Sequence, residues 1–227
     1  MYVIECLDAD PLTGTWTEKG QIKTGWESFS LDATILQHKG KLYYIWAQED
    51  RNVNYESHSN IYIAEMENPW TLRTKPVMLT QPLLDWEIKI FWVNEDQNIE
   101  KKWKNILTYS ASATDENYCM GMLVVNENDD LLDPKSWKKL EKPVFKTSYK
   151  NKQYGPGHNS FTVSEDGMKD LLVYHARNYT DIEGDPLYDP NRHTRVQVIE
   201  WDKDGFPIFG EPVMDTRNVD FDSLRKK

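Results

Sequence analysis

Two cysteines, Cys6 and Cys119, are all that the 227 residues contain. They lie far apart and without metal-ligand spacing, which argues against a disulfide framework or a zinc site and points to a reduced pair. No apolar run approaches the roughly 20 residues of a membrane-spanning helix, and the stretch before Asp10 is too short and too acidic for a secretory leader. The expectation is a soluble, unexported, cytoplasmic chain with no membrane partner. Basic clusters are missing as well: 27 Lys and Arg face 37 Asp and Glu, for a net charge of -10 and a pI near 5.0. Phosphate backbones need grouped cations, so nucleic acid is excluded as a partner. What the chain does have is rings, 9 Trp and 12 Tyr at a mean hydropathy of -0.73. Flat rings serve either as core or as platforms for sugar faces.

Helical periodicity is scarce. Short runs rich in Tyr, Ile, Val and Leu recur instead between Gly, Pro, Asn and Asp clusters: Leu42 to Ala47, Ile61 to Glu65, Ile106 to Ser110, Met120 to Val125, Phe161 to Ser164, Leu171 to His175 and Val196 to Trp201. These predict an all-β chain. A repeated phrase, an acidic or amide residue and Pro before a Trp, appears at Asp10-Pro11 with Trp16, Asn68-Pro69 with Trp70 and Asp133-Pro134 with Trp137, and more loosely at Trp201 with Asp202 to Pro207. The tryptophans are 54, 67 and 64 residues apart. Such spacing suits the four-stranded blades of a β-propeller. The first copy has too little chain before it for the inner strands of its blade, so the expectation is a single domain, residues 1–227, that begins mid-blade. A smaller, complete four-bladed ring is the alternative.

Three motifs sit where inner strands would begin, the end of a propeller that faces its central channel. Asp32 lies in Ser28-Phe29-Ser30-Leu31-Asp32-Ala33-Thr34, Glu95 follows Trp92-Val93-Asn94, and His158 follows Tyr154-Gly155-Pro156-Gly157. Each has a plainer reading: a turn-capping Asp, a solvated loop Glu and a His after a chain reversal. Two carboxylates facing one channel nonetheless suit glycoside hydrolysis, in which an acid protonates the leaving oxygen and a second carboxylate activates water or attacks the sugar; an inverting pair stands about 6.5–9.5 Å apart, a retaining pair about 5–5.5 Å.

With Tyr109-Ser110-Ala111-Ser112-Ala113-Thr114-Asp115, Asn117-Tyr118-Cys119-Met120-Gly121 and the run from Asp185 to Arg195, these motifs resemble the α-L-arabinofuranosidases of glycoside hydrolase family 43 over most of the chain. The resemblance implies a five-bladed β-propeller, here without its first blade and part of the second, and an inverting mechanism. It implies that Glu95 is the general acid and that Asp32 orients the acid and tunes its pKa, since a nearby carboxylate in a water-poor channel keeps an acid protonated. It implies that His158 lies on the channel axis near a structural calcium, that Arg192 contacts the sugar, with Arg195 close enough to compete for that role, and that no cofactor is required. The partners implied are arabinose- or xylose-containing plant cell-wall oligosaccharides. The family's Asp base matches no residue of this chain, which implies little turnover by these residues alone. After Glu95 the family continues Gly-Pro and an apolar strand, whereas this chain has a charged run from Asp96 to Asn105.

Two other readings stand beside this one. A non-catalytic carbohydrate-binding propeller would use Trp46, Trp86 or Trp92 as platforms, though a ring buried between blades is the plainer role for each. The acidic loop with Asp181, Glu183, Asp185 and Asp189 lacks EF-hand spacing and reads as solvated rather than calcium-binding.

Overall fold

The computed structural model describes the backbone of residues 1–50, 59–90, 94–101 and 104–215, and the side chains of all of these except 94–101 and 104. Its strands form successive antiparallel sheets in chain order. The first is a hairpin of β1 (Tyr2–Cys6) and β2 (Trp16–Gln21). The second runs β3 (Ser30–His38), β4 (Lys41–Glu49), β5 (Ser59–Asn68) and β6 (Thr71–Leu72), with β7 (Val77–Thr80) also on β5. The third has the order β11-β10-β9-β8, built from β8 (Asn94–Lys101), β9 (Lys104–Ala111), β10 (Cys119–Asn126) and β11 (Lys138–Lys139). The fourth pairs β12 (Tyr154–Val163), β13 (Asp170–Arg177) and β14 (His193–Val198), and a short hairpin of β15 (Glu200–Trp201) and β16 (Pro207–Ile208) follows. The all-β expectation holds, and no sheet closes on itself among the described residues.

The middle strands read as unbroken apolar runs because both of their faces are covered. On β4, Tyr44 and Trp46 pack with Ile22, Ala64 and Met66 toward the first hairpin, while Tyr43 and Ile45 pack with Ile61, Ile63, Leu107 and Tyr109 toward the third sheet. On β9 and β10 the alternation continues, with Ile106, Met120, Met122 and Val124 turned toward Leu172 and Tyr174 of the fourth. Burying one such side chain stabilises by about 1.5–3 kcal/mol. A surface ion pair is worth about 0–1 kcal/mol, so these three layers hold the fold.

The repeated phrase has a structural meaning. Each copy makes an Asx turn on the way into or out of a sheet's last strand. Asp10 Oδ1 accepts from Leu12 N at 3.0 Å, Asn68 Oδ1 from Trp70 N at 3.1 Å, Asp133 Oδ1 from Lys135 N at 3.0 Å and Asp202 Oδ1 from Asp204 N at 2.9 Å. Both cysteines are free, and burial pushes the Cys119 thiol up to about 12. The charged run after Glu95 is still a strand over Asn94–Lys101, paired residue by residue with β9.

Candidate active site

Asp32 and His158 are presented by the same backbone device. In β3 the register with β4 breaks between Leu31 and Thr34, and in β12 the register with β13 breaks between Gly157 and Ser160. Asp32 and His158 occupy these two bulges, each with φ at 46°. A bulge re-aims a side chain, and a left-handed φ at a non-glycine residue costs of order 1–3 kcal/mol, which the surrounding sheet must overcome. The turn expected before His158 is instead part of β12. The glycines are there because Tyr118 and Asp115 press on that backbone. A Cβ on Gly157 would meet the Tyr118 ring at 2.5 Å, and one on Gly155 would meet the Asp115 carbonyl oxygen at 2.2 Å.

The two side chains, 126 positions apart in sequence, meet with His158 Nδ1 3.7 Å from Asp32 Oδ2. The His158 amide donates to Ser110 Oγ at 2.7 Å. Ser110 is in turn the register partner of Glu95, so β8 carries Glu95 alongside the residue that holds His158, with β8 lying between β3 and β12. For Glu95 the description is limited to its backbone; its side chain lies outside the described residues, as does Trp92.

A cleft of about 430 Å³ opens at His158, lined by His175, Leu187, Tyr188, Asp189, Pro190 and Arg192. Arg192 is therefore at the site, donating from Nη2 to the Leu187 carbonyl at 3.0 Å. Arg195 is not: its guanidinium donates to Gln153, His193 and Asp215. Buried Arg177 fixes the cleft wall, pairing with Asp189 at 3.1 Å and donating to the Pro186 and Thr114 carbonyls. Burial raises the Asp189 pKa, but hydrogen bonds from the Asn191 amide, the Tyr179 hydroxyl and Arg177 outweigh it and hold the group below the usual carboxylate range. The solvated-loop expectation thus fits exposed Asp181 and Glu183 but not Asp189.

Sequence reasoning missed His175. Its ring lies nearly parallel to those of Tyr118, at 5.5 Å and 5°, and His158, at 6.2 Å and 17°. Neither ring nitrogen has a hydrogen-bond partner, an omission that costs about 1–3 kcal/mol for a buried polar group. Burial, helped by the nearby charges of Arg192, His158 and Arg177, pushes its pKa down to about 3. Between there and the unfolded value near 6.5 only the unfolded chain takes the proton, so His175 makes stability fall as pH drops through that window, by up to about 1.4 kcal/mol per unit. Chemical unfolding at pH 7.5 and pH 5 should show a smaller acid loss in His175→Phe than in wild type.

Trp46 is fully buried and donates to Gln48 at 3.1 Å, and Trp86 donates to the Glu141 carbonyl at 2.9 Å while stacking on Tyr109. Burial makes Trp46 a core residue, while Trp86 is half-buried against the core. Calcium takes six to eight oxygen ligands. Around His158 the described side chains offer the Asp32 carboxylate and imidazoles, and no group of three His, Cys, Asp or Glu among the described residues forms a metal site.

The chain is 56% identical over 216 residues to the extracellular exo-α-(1→5)-L-arabinofuranosidase of Streptomyces avermitilis and 51% identical over 215 to α-L-arabinofuranosidase 43 of Humicola insolens. Those matches cover 95% and 94% of this chain but 44% of either relative, so the chain spans less than half their length. The crystal structure of an α-L-arabinofuranosidase from Lactobacillus brevis superposes with a TM-score of 0.91 at 60% identity, covering 96% of this chain and 67% of that one. The cytoplasmic expectation is overturned, since the Streptomyces relative is an extracellular protein. It had rested on the lack of an apolar leader and of disulfides, and neither absence fixes where a chain resides. Residues 1–207 match the family described as Glycosyl hydrolases family 43, and the chain belongs to that family.

Proposed function

We propose that this chain is the greater part of the catalytic propeller of an exo-acting α-L-arabinofuranosidase that removes α-(1→5)-linked arabinofuranose by inversion. The observation that carries the reading is the meeting of Asp32 and His158, from bulges on separate sheets, beside the strand that bears Glu95. Glu95 protonates the glycosidic oxygen as the bond to the anomeric carbon breaks, and Asp32 orients that carboxyl. Water then adds from the opposite face and gives its proton to a base. Arg192 holds the sugar from the cleft wall.

The base and the rest of a five-bladed ring come from polypeptide outside these 227 residues. Support for this lies in two open apolar faces. Val196 and Val198 are 52% and 39% exposed on the face of the fourth sheet that they share with Val173 and Leu171, and Tyr2 and Ile4 of β1 are 68% and 58% exposed. A non-catalytic propeller that binds the same sugars is favoured by one observation, the missing match to the base, and disfavoured by the full burial of Trp46. Ligand-observed NMR tests the sugar class. Saturation transfer to α-1,5-arabinobiose well above that to xylobiose is expected; equal transfer to both, or none, contradicts the proposal.

A further inference from the structure

His175 stands apart from the other residues lining the cleft. Its ring lies nearly parallel to those of Tyr118 and His158, yet both ring nitrogens lack a hydrogen-bond partner. Phenylalanine would keep both stacks and leave no polar atom orphaned, so packing alone does not account for an imidazole here. A residue held at a site against stability is the signature of a functional requirement. We propose that His175 is a substrate-recognition residue whose ring nitrogens take a hydroxyl of the arabinofuranosyl unit bound in the cleft. The inference rests on the proposed function and adds to it a specificity-determining contact.

The chemistry suits a sugar. A neutral imidazole offers one donor and one acceptor, and a hydroxyl is both. Arg192, by contrast, can only donate. Because χ2 of histidine is a broad, two-fold torsion, a half-turn would place the nitrogens where the ring carbons now stand while both ring contacts stay intact. A site built in this way rejects a sugar that lacks the hydroxyl, because the nitrogens then stay unpaired.

The test uses the whole chain, with α-1,5-arabinobiose as the probe, and compares wild type, His175→Phe and His175→Gln by melting temperature and by calorimetric titration. Without sugar, the Phe variant should melt above wild type. Its affinity for arabinobiose should be about tenfold weaker, the size of one lost hydrogen bond. The Gln variant, which keeps a donor and an acceptor, should retain more affinity than Phe. Unchanged affinity in the Phe variant overturns the inference and leaves the proposed function standing. A Phe variant that fails to fold overturns it too, because the nitrogens would then serve the free protein. Wild type that ignores arabinobiose removes the proposed function, and this inference with it.

Discussion

Glu87→Ala should cost about 3–5 kcal/mol and lower the melting temperature by roughly 10 °C, the largest stability effect expected of any single substitution here. Glu87 is fully buried. Its carboxylate lies 2.6 Å from Lys139 Nζ and accepts from the Tyr109 hydroxyl at 2.8 Å and from the Leu83 and Leu84 amides at 2.9 and 2.8 Å. Those bonds fasten the segment between β7 and β8 to the face of the third sheet, just ahead of the strand that carries Glu95. Removing the carboxylate strands several donors at once and leaves Lys139 without its counter-charge in a setting where burial already lowers its pKa. Against a total stability of about 5–15 kcal/mol, this is enough to leave much of the chain unfolded near body temperature. Glu87→Gln keeps the shape and two acceptor sites on its carbonyl and should lose less. A melting temperature within 2 °C of wild type for the Ala variant, taken roughly as the shift from 1 kcal/mol or less, would show that Lys139 and the amides find other partners.

Glu95→Gln should have the largest effect on chemistry, and the effect should depend on the leaving group. In protein that also carries the polypeptide supplying the base, the rate on arabinobiose, whose leaving oxygen needs a proton, should fall by about 10² to 10⁴. For 4-nitrophenyl α-L-arabinofuranoside the loss should be much smaller, because nitrophenolate departs without protonation. A loss equal for both substrates would point to a structural role and remove Glu95 as the acid.

The sheet order was legible because strands covered on both faces spell continuous apolar runs: Leu42 to Ala47 lies within β4 and Met120 to Val125 within β10. The Asp-Pro and Trp phrase was legible as a repeat, though its cause, an Asx turn at the outer strand of each sheet, needed coordinates. The bulges at Asp32 and His158 could not be read, since a register break depends on the partner strand. The glycines before His158 did signal a constrained backbone; what constrains it is Tyr118, some 40 positions upstream. His175 left no mark, because in sequence it is one polar residue at the end of an apolar strand. Arg192 and Arg195 could be told apart only once the Gln153 and Asp215 contacts of Arg195 were visible.

The most direct test of the central claim supplies the missing base chemically. Azide is already a nucleophile and needs no proton removed, so it can attack the anomeric carbon from the face opposite the leaving group. As the carbon–oxygen bond breaks and the carbon–nitrogen bond forms, Glu95 gives its proton to the departing oxygen. With α-1,5-arabinobiose and sodium azide, the 227-residue chain should release arabinose and form the β-configured arabinofuranosyl azide, seen by NMR. Glu95→Gln should do so at least about 10² more slowly. No azide-dependent product from folded wild-type protein, or equal product from both, would contradict the assignment of Asp32 and Glu95 to a working glycosidase site.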